Sequence, residues 1–293
     1  RKDFDELPSG FENESYKTHF DFWKDKTVPS SWVKFKDIAF YWTKKGVDGF
    51  RYDMAEMVPV EFWSYMNSHI KMENPNAFLM AEVYNPSLYR DYIKKGKMDY
   101  LYDKVELYDS LKHIMKGYGW TDHIPVVQRG LADIEHHMLH FLENHDEQRI
   151  ASPEFAGSAE KGKPGMVVSA LISSAPTMLY FGQDVGEAGA GDAGFGKASR
   201  TTIFDYWGVP AHQRWMNDGK FDGGALNDSE KELRDFYIRL MQVSTRNPAM
   251  AGNSAHIPVD NDRVFAFARW QDNERLIVVS NFDDQANQPV TLN

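Results

Sequence analysis

The chain contains no cysteine, which excludes both a disulfide framework and a thiolate metal site. It has no apolar stretch able to cross a bilayer. The longest, Val167 to Ile172, falls far short of the roughly 20 residues a spanning helix needs. No long basic run offsets the surplus of acids: 33 Lys and Arg stand against 43 Asp and Glu, a formal net charge of −10. That balance argues against nucleic acid and an anionic membrane surface, and suits a neutral substrate better than a polyanion. The opening residues Arg1-Lys-Asp-Phe-Asp lack the apolar core of a secretory leader, and there is no initiator Met. The chain is therefore expected to be a segment of something longer. Compartment stays open, with a secreted or periplasmic setting favoured over a cytoplasmic one.

What the chain does have is material for a core. At 293 residues and 42% apolar, it can build one large domain or two smaller ones. Its eight Trp and 14 Tyr belong mostly in that core, although aromatic faces also stack on sugar rings.

Residues 1–31 are polar, with turns marked at Pro8-Ser9-Gly10 and Pro29-Ser30-Ser31, and read as a loop-rich lead-in. From Trp32 to Lys45 the positions Val33, Phe35, Ile38, Ala39 and Trp42 fit one helical face, stopped by Gly46. Gly46-Val-Asp-Gly-Phe-Arg-Tyr-Asp53 then reads as a strand ending in an acid. The spacing next predicts a helix over Val60 to Ile70 with Phe62, Trp63 and Met66 inward, and a buried strand over Ala77 to Ala81 that ends at Glu82. The alternation continues: helix Tyr89 to Lys95, strand Met98 to Asp103, helix Leu107 to Met115, strand Met138 to Leu142, helix Gly165 to Ser174, strand Pro176 to Phe181. Strand and helix repeating at about thirty residues predict βα units and a parallel sheet, with five strands present. Residues 185–228 read as long loops, and Ser229 with Glu232 as a capping box opening a helix to Asn247. From about residue 252 hairpin patterning takes over, with strands at Arg263 to Trp270 and Leu276 to Phe282. Three divisions follow: a lead-in over 1–31, an α/β region over 32–251 and the start of a β-domain over 252–293.

The informative fact is where the acids fall. Asp53, Glu82 and Asp146 each follow an apolar run, at intervals of about one and two βα units. In a parallel barrel such positions converge on one rim, so three carboxyls would share a pocket. Like charges that close are expected to differ in proton affinity, giving one nucleophile and one proton donor, as glycoside hydrolysis requires. Arg51, two residues before Asp53 on the same strand face, favours its charged form. The plainer alternatives are a structural salt bridge at Arg51 and three unconnected helix caps or ion pairs.

These residues carry a resemblance. Gly49-Phe-Arg-Tyr-Asp53, Ala81-Glu-Val83 and Glu143-Asn-His-Asp146 resemble successive sequence blocks of the α-amylase family of retaining glycosidases. Tyr180-Phe-Gly-Gln-Asp-Val-Gly-Glu187 is similar to that family's eighth-strand segment, and the likeness runs from about Trp32 to Phe282. The resemblance implies a partial (β/α)8 TIM barrel followed by part of an all-β sandwich domain. It implies Asp53 as nucleophile, Glu82 as general acid and base, and Asp146 as the acid that binds sugar hydroxyls and stabilises the oxocarbenium-like state. Arg51 would orient Asp53, His145 would bond the glucose at the cleavage point, and Asn144 would be structural. The substrate implied is an oligo- or polysaccharide α-glucan.

Two departures qualify this. The family's first block and first three strands are absent, as is the inserted domain that often carries calcium, so no metal or cofactor is expected on this segment. Five strands would leave two sheet edges open, and the segment alone is expected to be incomplete. Second, many starch-cleaving members carry Lys-His just after the nucleophile block, where this chain has Glu56-Met57. The alternatives are an α-glucan transglycosylase, which shares the covalent intermediate, and a catalytically silent carbohydrate-binding or partner-docking relative. A metal hydrolase using His145, Asp146 and Glu82 finds no support in HxH or HExxH spacing.

Overall fold

The computed structural model describes residues 3–191, 199–203, 208–283 and 289–292. By its internal contacts the chain divides into two compact units, Arg1–Val105 with His137–Leu139, and Glu106–His136 with His140–Asn293.

In the first unit the lead-in is more ordered than its polarity predicts. A 3-10 turn at Phe11–Asn13 precedes helix α1, Tyr16–Trp23, which Ser15 caps by accepting from the Thr18 N–H. Two turns are too short for periodicity to announce. What holds α1 is a buried hydrogen-bond chain. Trp23 Nε1 donates to Ser64 Oγ at 2.8 Å, Ser64 Oγ meets His19 Nδ1 at 2.7 Å, and His19 Nε2 reaches the Phe11 carbonyl at 2.9 Å. A carbonyl can only accept, so Nε2 carries the proton and Nδ1 accepts from Ser64. Burial holds the imidazole neutral, lowering its pKa from 6.5 to about 4 against the opposing Phe11 hydrogen bond.

Helix α2, Ser30–Lys44, stops where Gly46 adopts φ +92° and its N–H closes on Thr43 O at 3.0 Å. Its apolar face is largely open: Phe35 is 57%, Ile38 54% and Trp42 50% exposed, while Trp32 and Ala39 are buried. Helix α3, Val60–Glu73, by contrast buries Phe62, Trp63 and Met66 as its spacing predicts.

Four short strands, β1 Gly49–Tyr52, β2 Phe78–Ala81, β3 Tyr100–Tyr102 and β4 Met138–Leu139, form a parallel sheet in sequence order, with helix α4, Tyr89–Lys94, between β2 and β3. β1 and β2 pair in register, Gly49 with Phe78 and Tyr52 with Ala81. A Cβ on residue 49 would come within 1.9 Å of the Phe78 carbonyl oxygen, so only glycine allows this approach.

The second unit begins with α5, Asp109–Met115, and α6, His123–Gly130, a helix not anticipated from the sequence. Helix α7, Ala159–Leu171, starts six residues earlier than its apolar run, because Ser158 caps it and Pro164 is accommodated within it. The segment 176–181, expected as a fifth strand, forms only an isolated parallel bridge between Thr177 and His140. Beyond it the Gln183 side chain accepts from the Tyr180 N–H at 3.0 Å and Gly182 turns at φ +77°. Helix α8, Pro210–Met216, interrupts the expected 185–228 loop, of which 192–198 and 204–207 lie outside the described residues.

Helix α9, Asp228–Arg246, is capped two residues before the expected box: Asn227 accepts from Glu230 N at 2.9 Å, and Glu230 accepts from Asn227 N at 3.0 Å. Its buried face carries Leu233, Tyr237 and Leu240. Then come β5 Asn253–Ile257, β6 Val264–Gln271 and β7 Glu274–Asn281, a three-stranded antiparallel sheet. The β6–β7 hairpin closes through Asp272 and Asn273, with Asp272 at φ +51°, the left-handed backbone a two-residue hairpin turn requires. The fold is α/β, with a parallel sheet and a C-terminal antiparallel sheet.

Candidate active site

The parallel register of β1 and β2 decides which side chains meet. Tyr52 and Ala81 are partners, and the Glu82 N–H continues the ladder onto the Tyr52 carbonyl at 3.0 Å. Asp53 and Glu82 therefore leave neighbouring strand ends side by side, one strand spacing of about 4.8 Å apart in backbone terms. Arg51 ties them together. Its Nη1 donates to Asp53 Oδ1 at 2.6 Å, and its Nη2 lies 3.4 Å from Glu82 Oε2. Its Nε reaches Tyr102 Oη at 3.4 Å from the end of β3. Partial burial works against the guanidinium charge, but the bonds to Asp53 and Tyr102 and the charge of Glu82 raise its pKa, so it stays cationic.

The two carboxyls occupy unlike surroundings: the Asp53 side chain is 69% exposed and that of Glu82 10%. Glu82 Oε2 also accepts from the Met54 N–H at 2.8 Å. That amide points inward because Met54 takes a left-handed backbone, φ 44° and ψ 39°, directly after Asp53. A non-glycine residue so placed beside an acid pair is where backbone strain gathers at functional sites. Against Asp53, Arg51 and Tyr52 opens a cavity of about 390 Å³, walled by Trp32, Phe62 and Trp63 among others. Its size and apolar lining suit a small organic ligand.

The second unit holds the remaining predicted residues. His145 Nε2 lies 3.1 Å from Asp146 Oδ2. Asn144 is used structurally, its Oδ1 accepting from the Asp146 and Glu147 N–H groups at 2.9 and 2.8 Å, an Asx turn that sets the backbone of the acid. The turn is anchored by a pair the sequence did not single out. Glu143 accepts from Arg149 Nη1 at 2.8 Å and from the Ile150 N–H at 2.7 Å, with both side chains almost wholly buried. Arg149 further donates to Phe181 O and Thr201 Oγ1, and its guanidinium lies 4.4 and 4.8 Å from the Tyr180 and Phe181 ring centroids. Two polar residues six apart in a loop give no periodic signal.

Thus the structure joins Arg51, Asp53 and Glu82 in one cluster of the first unit, and pairs His145 with Asp146 in the second. Of the residues sequence reasoning passed over, Tyr102 could have been found by its strand-end position, in phase with Asp53 and Glu82. Met54 could not, since nothing about methionine announces a left-handed turn. Among the described residues no group of three or more His, Asp or Glu could hold a metal ion, and no helix is long and apolar enough to cross a membrane.

Comparison with known proteins adds to this geometry. Residues 16–232 match the family model for the alpha amylase catalytic domain. Alpha-amylase 2 of Dictyoglomus thermophilum is 26% identical over 293 residues, covering 94% of this chain and 47% of the relative. A 4-alpha-glucanotransferase of Thermotoga neapolitana is 26% identical over 238 residues, 73% of this chain and 49% of the relative. An alpha-amylase structure from H. orenii superimposes with a TM-score of 0.65 at 21% identity, over 87% of this chain and 55% of that one, a likeness of fold. The chain spans about half the length of these curated relatives.

Proposed function

We propose a function from one premise: this chain belongs to the alpha-amylase family. The intact protein cleaves α-glucosidic bonds of maltooligosaccharides or starch-like glucans with retention of configuration, and this chain supplies the C-terminal part of its (β/α)8 barrel and the start of the β-domain. The observation that carries the reading is the Arg51-bridged pair of acids on adjacent strand ends, one exposed and one enclosed.

In the first step the Asp53 carboxylate attacks the anomeric carbon as Glu82 passes its proton to the departing glycosidic oxygen, leaving a β-linked glucosyl ester on Asp53. In the second, Glu82 as carboxylate takes a proton from water, whose oxygen attacks the same carbon and releases Asp53. Arg51, whose Nη1 donates to Asp53 Oδ1, aims the nucleophile. Asp146 and His145 bind the sugar hydroxyls, and Asp146 stabilises the positive charge that develops on the ring. The carboxyl oxygens of Asp53 and Glu82 stand about 5–5.5 Å apart when the double displacement is set up.

Asp53→Asn in the intact protein is expected to abolish turnover, and a slow fluorinated glucosyl donor to label Asp53 in the unaltered protein. Full activity of the variant would end the reading. A transglycosylase is the second reading, favoured by the similarity to a glucanotransferase. Incubation with maltooligosaccharides separates the two, since transfer yields products longer than the substrate.

A further inference from the structure

Three residues beyond Asp53, in the 3-10 turn Ala55–Met57, Glu56 turns toward the neighbouring loop. Its Oε2 accepts from two backbone amides, Tyr84 N at 3.0 Å and Asn85 N at 2.9 Å. Those amides belong to the loop that Glu82 opens. The lacing also runs the other way, since the Met54 amide of the first loop donates to the Glu82 carboxylate at 2.8 Å. A third tie secures the base: Tyr92 Oη on α4 donates to the carbonyls of Glu56 and Val58 at 3.1 and 2.7 Å. Burial first, then the nearby Glu56 charge, pushes the Tyr92 hydroxyl up to about 12, so this donor keeps its proton.

We propose that Glu56 is a positioning residue for Glu82, fixing the backbone two and three residues after the acid so that its carboxyl stays trained on the leaving oxygen. Charge-assisted bonds to two consecutive amides hold that backbone more firmly than water would. The assignment also explains what occupies the place where many starch-cleaving relatives carry a lysine: a carboxylate spent on the protein's own backbone. It rests on Glu82 being the proton donor.

The test compares leaving groups in the intact protein. Glu56→Ala is expected to lower kcat on maltooligosaccharides about 10- to 100-fold, part of the roughly 10²–10⁴-fold that general acid catalysis contributes, with KM little changed. α-Glucosyl fluoride, whose leaving group needs little protonation, should lose far less. Glu56→Gln, whose amide oxygen still accepts from both N–H groups, should recover most of the rate. If the alanine variant fails to fold, Glu56→Asp carries the comparison, its shorter side chain failing to reach both amides. Equal losses on the two substrates, an effect confined to KM, or no loss would overturn the assignment. Failure of the underlying reading is recognised separately, by full turnover in Asp53→Asn.

Discussion

Arg51 and Arg149 each meet a carboxylate within hydrogen-bonding distance, at 2.6 and 2.8 Å, yet almost everything around them differs. The Arg149 side chain is 1% exposed, its partner Glu143 2%, and its remaining contacts are a carbonyl, a hydroxyl and two aromatic faces. Arg51 is 24% exposed and divides itself between two acids, one of them open to solvent. In the first case the charges have been taken out of water and depend on each other. In the second, solvent shares the work, and the guanidinium is free to serve a reacting group. The arginine in the strand and the arginine in the loop thus play opposite parts, and burial of the partner tells them apart.

The sharpest way to break this contrast is to remove each guanidinium. Arg149→Met strands a buried carboxylate and is expected to destabilise the protein by about 3–5 kcal/mol, read from urea midpoints, with part of the loss recovered when Glu143→Gln is added. Arg51→Met should shift stability by less than about 1 kcal/mol but depress turnover of the intact protein by at least about a hundredfold. Equal stability losses at the two positions would erase the distinction.

A smaller effect is expected from a buried group that avoids charge altogether. Folding lowers the His19 pKa from 6.5 to about 4, so the unfolded chain binds the proton more readily. The stability this histidine contributes is whole above pH 6.5 and drains away as pH falls from there toward about 4. Denaturation midpoints measured across that window should fall, and a His19→Gln variant should flatten the His19 part of the slope. The smallest effect concerns the start of α9. Asn227→Ala is expected to cost about 1 kcal/mol, whereas Ser229→Ala should stay within about 0.5 kcal/mol, by thermal unfolding.

That last pair shows where the sequence is ambiguous. Asn227 with Glu230 and Ser229 with Glu232 both spell a capping box, and only the first is made. Strand ends were more legible: apolar runs closing on Asp53 and Glu82 led to the right neighbours, because parallel register is set by the sheet and by the lone glycine that Phe78 tolerates. The apolar stripe of α2 was legible as a stripe, but periodicity shows which residues share a face, not whether anything covers it. The 176–181 run looked like a strand by composition, and the turn at Gly182 leaves it a single bridge. The partners of His19, Glu56 and Arg149 were invisible for a common reason. His19 meets a hydroxyl 45 residues on, Glu56 an amide 28 residues on and Arg149 a carbonyl 32 residues on, and polar contacts of that kind leave no period behind.

The left-handed backbone at Met54 carries a consequence for anyone reshaping this protein. Because the amide there, rather than the thioether, faces Glu82, position 54 is a narrow door for variation. Glycine or asparagine would pass through it with the amide still in place. Valine or isoleucine, whose branched Cβ resists that twist, would swing the amide away and leave the enclosed acid one donor short.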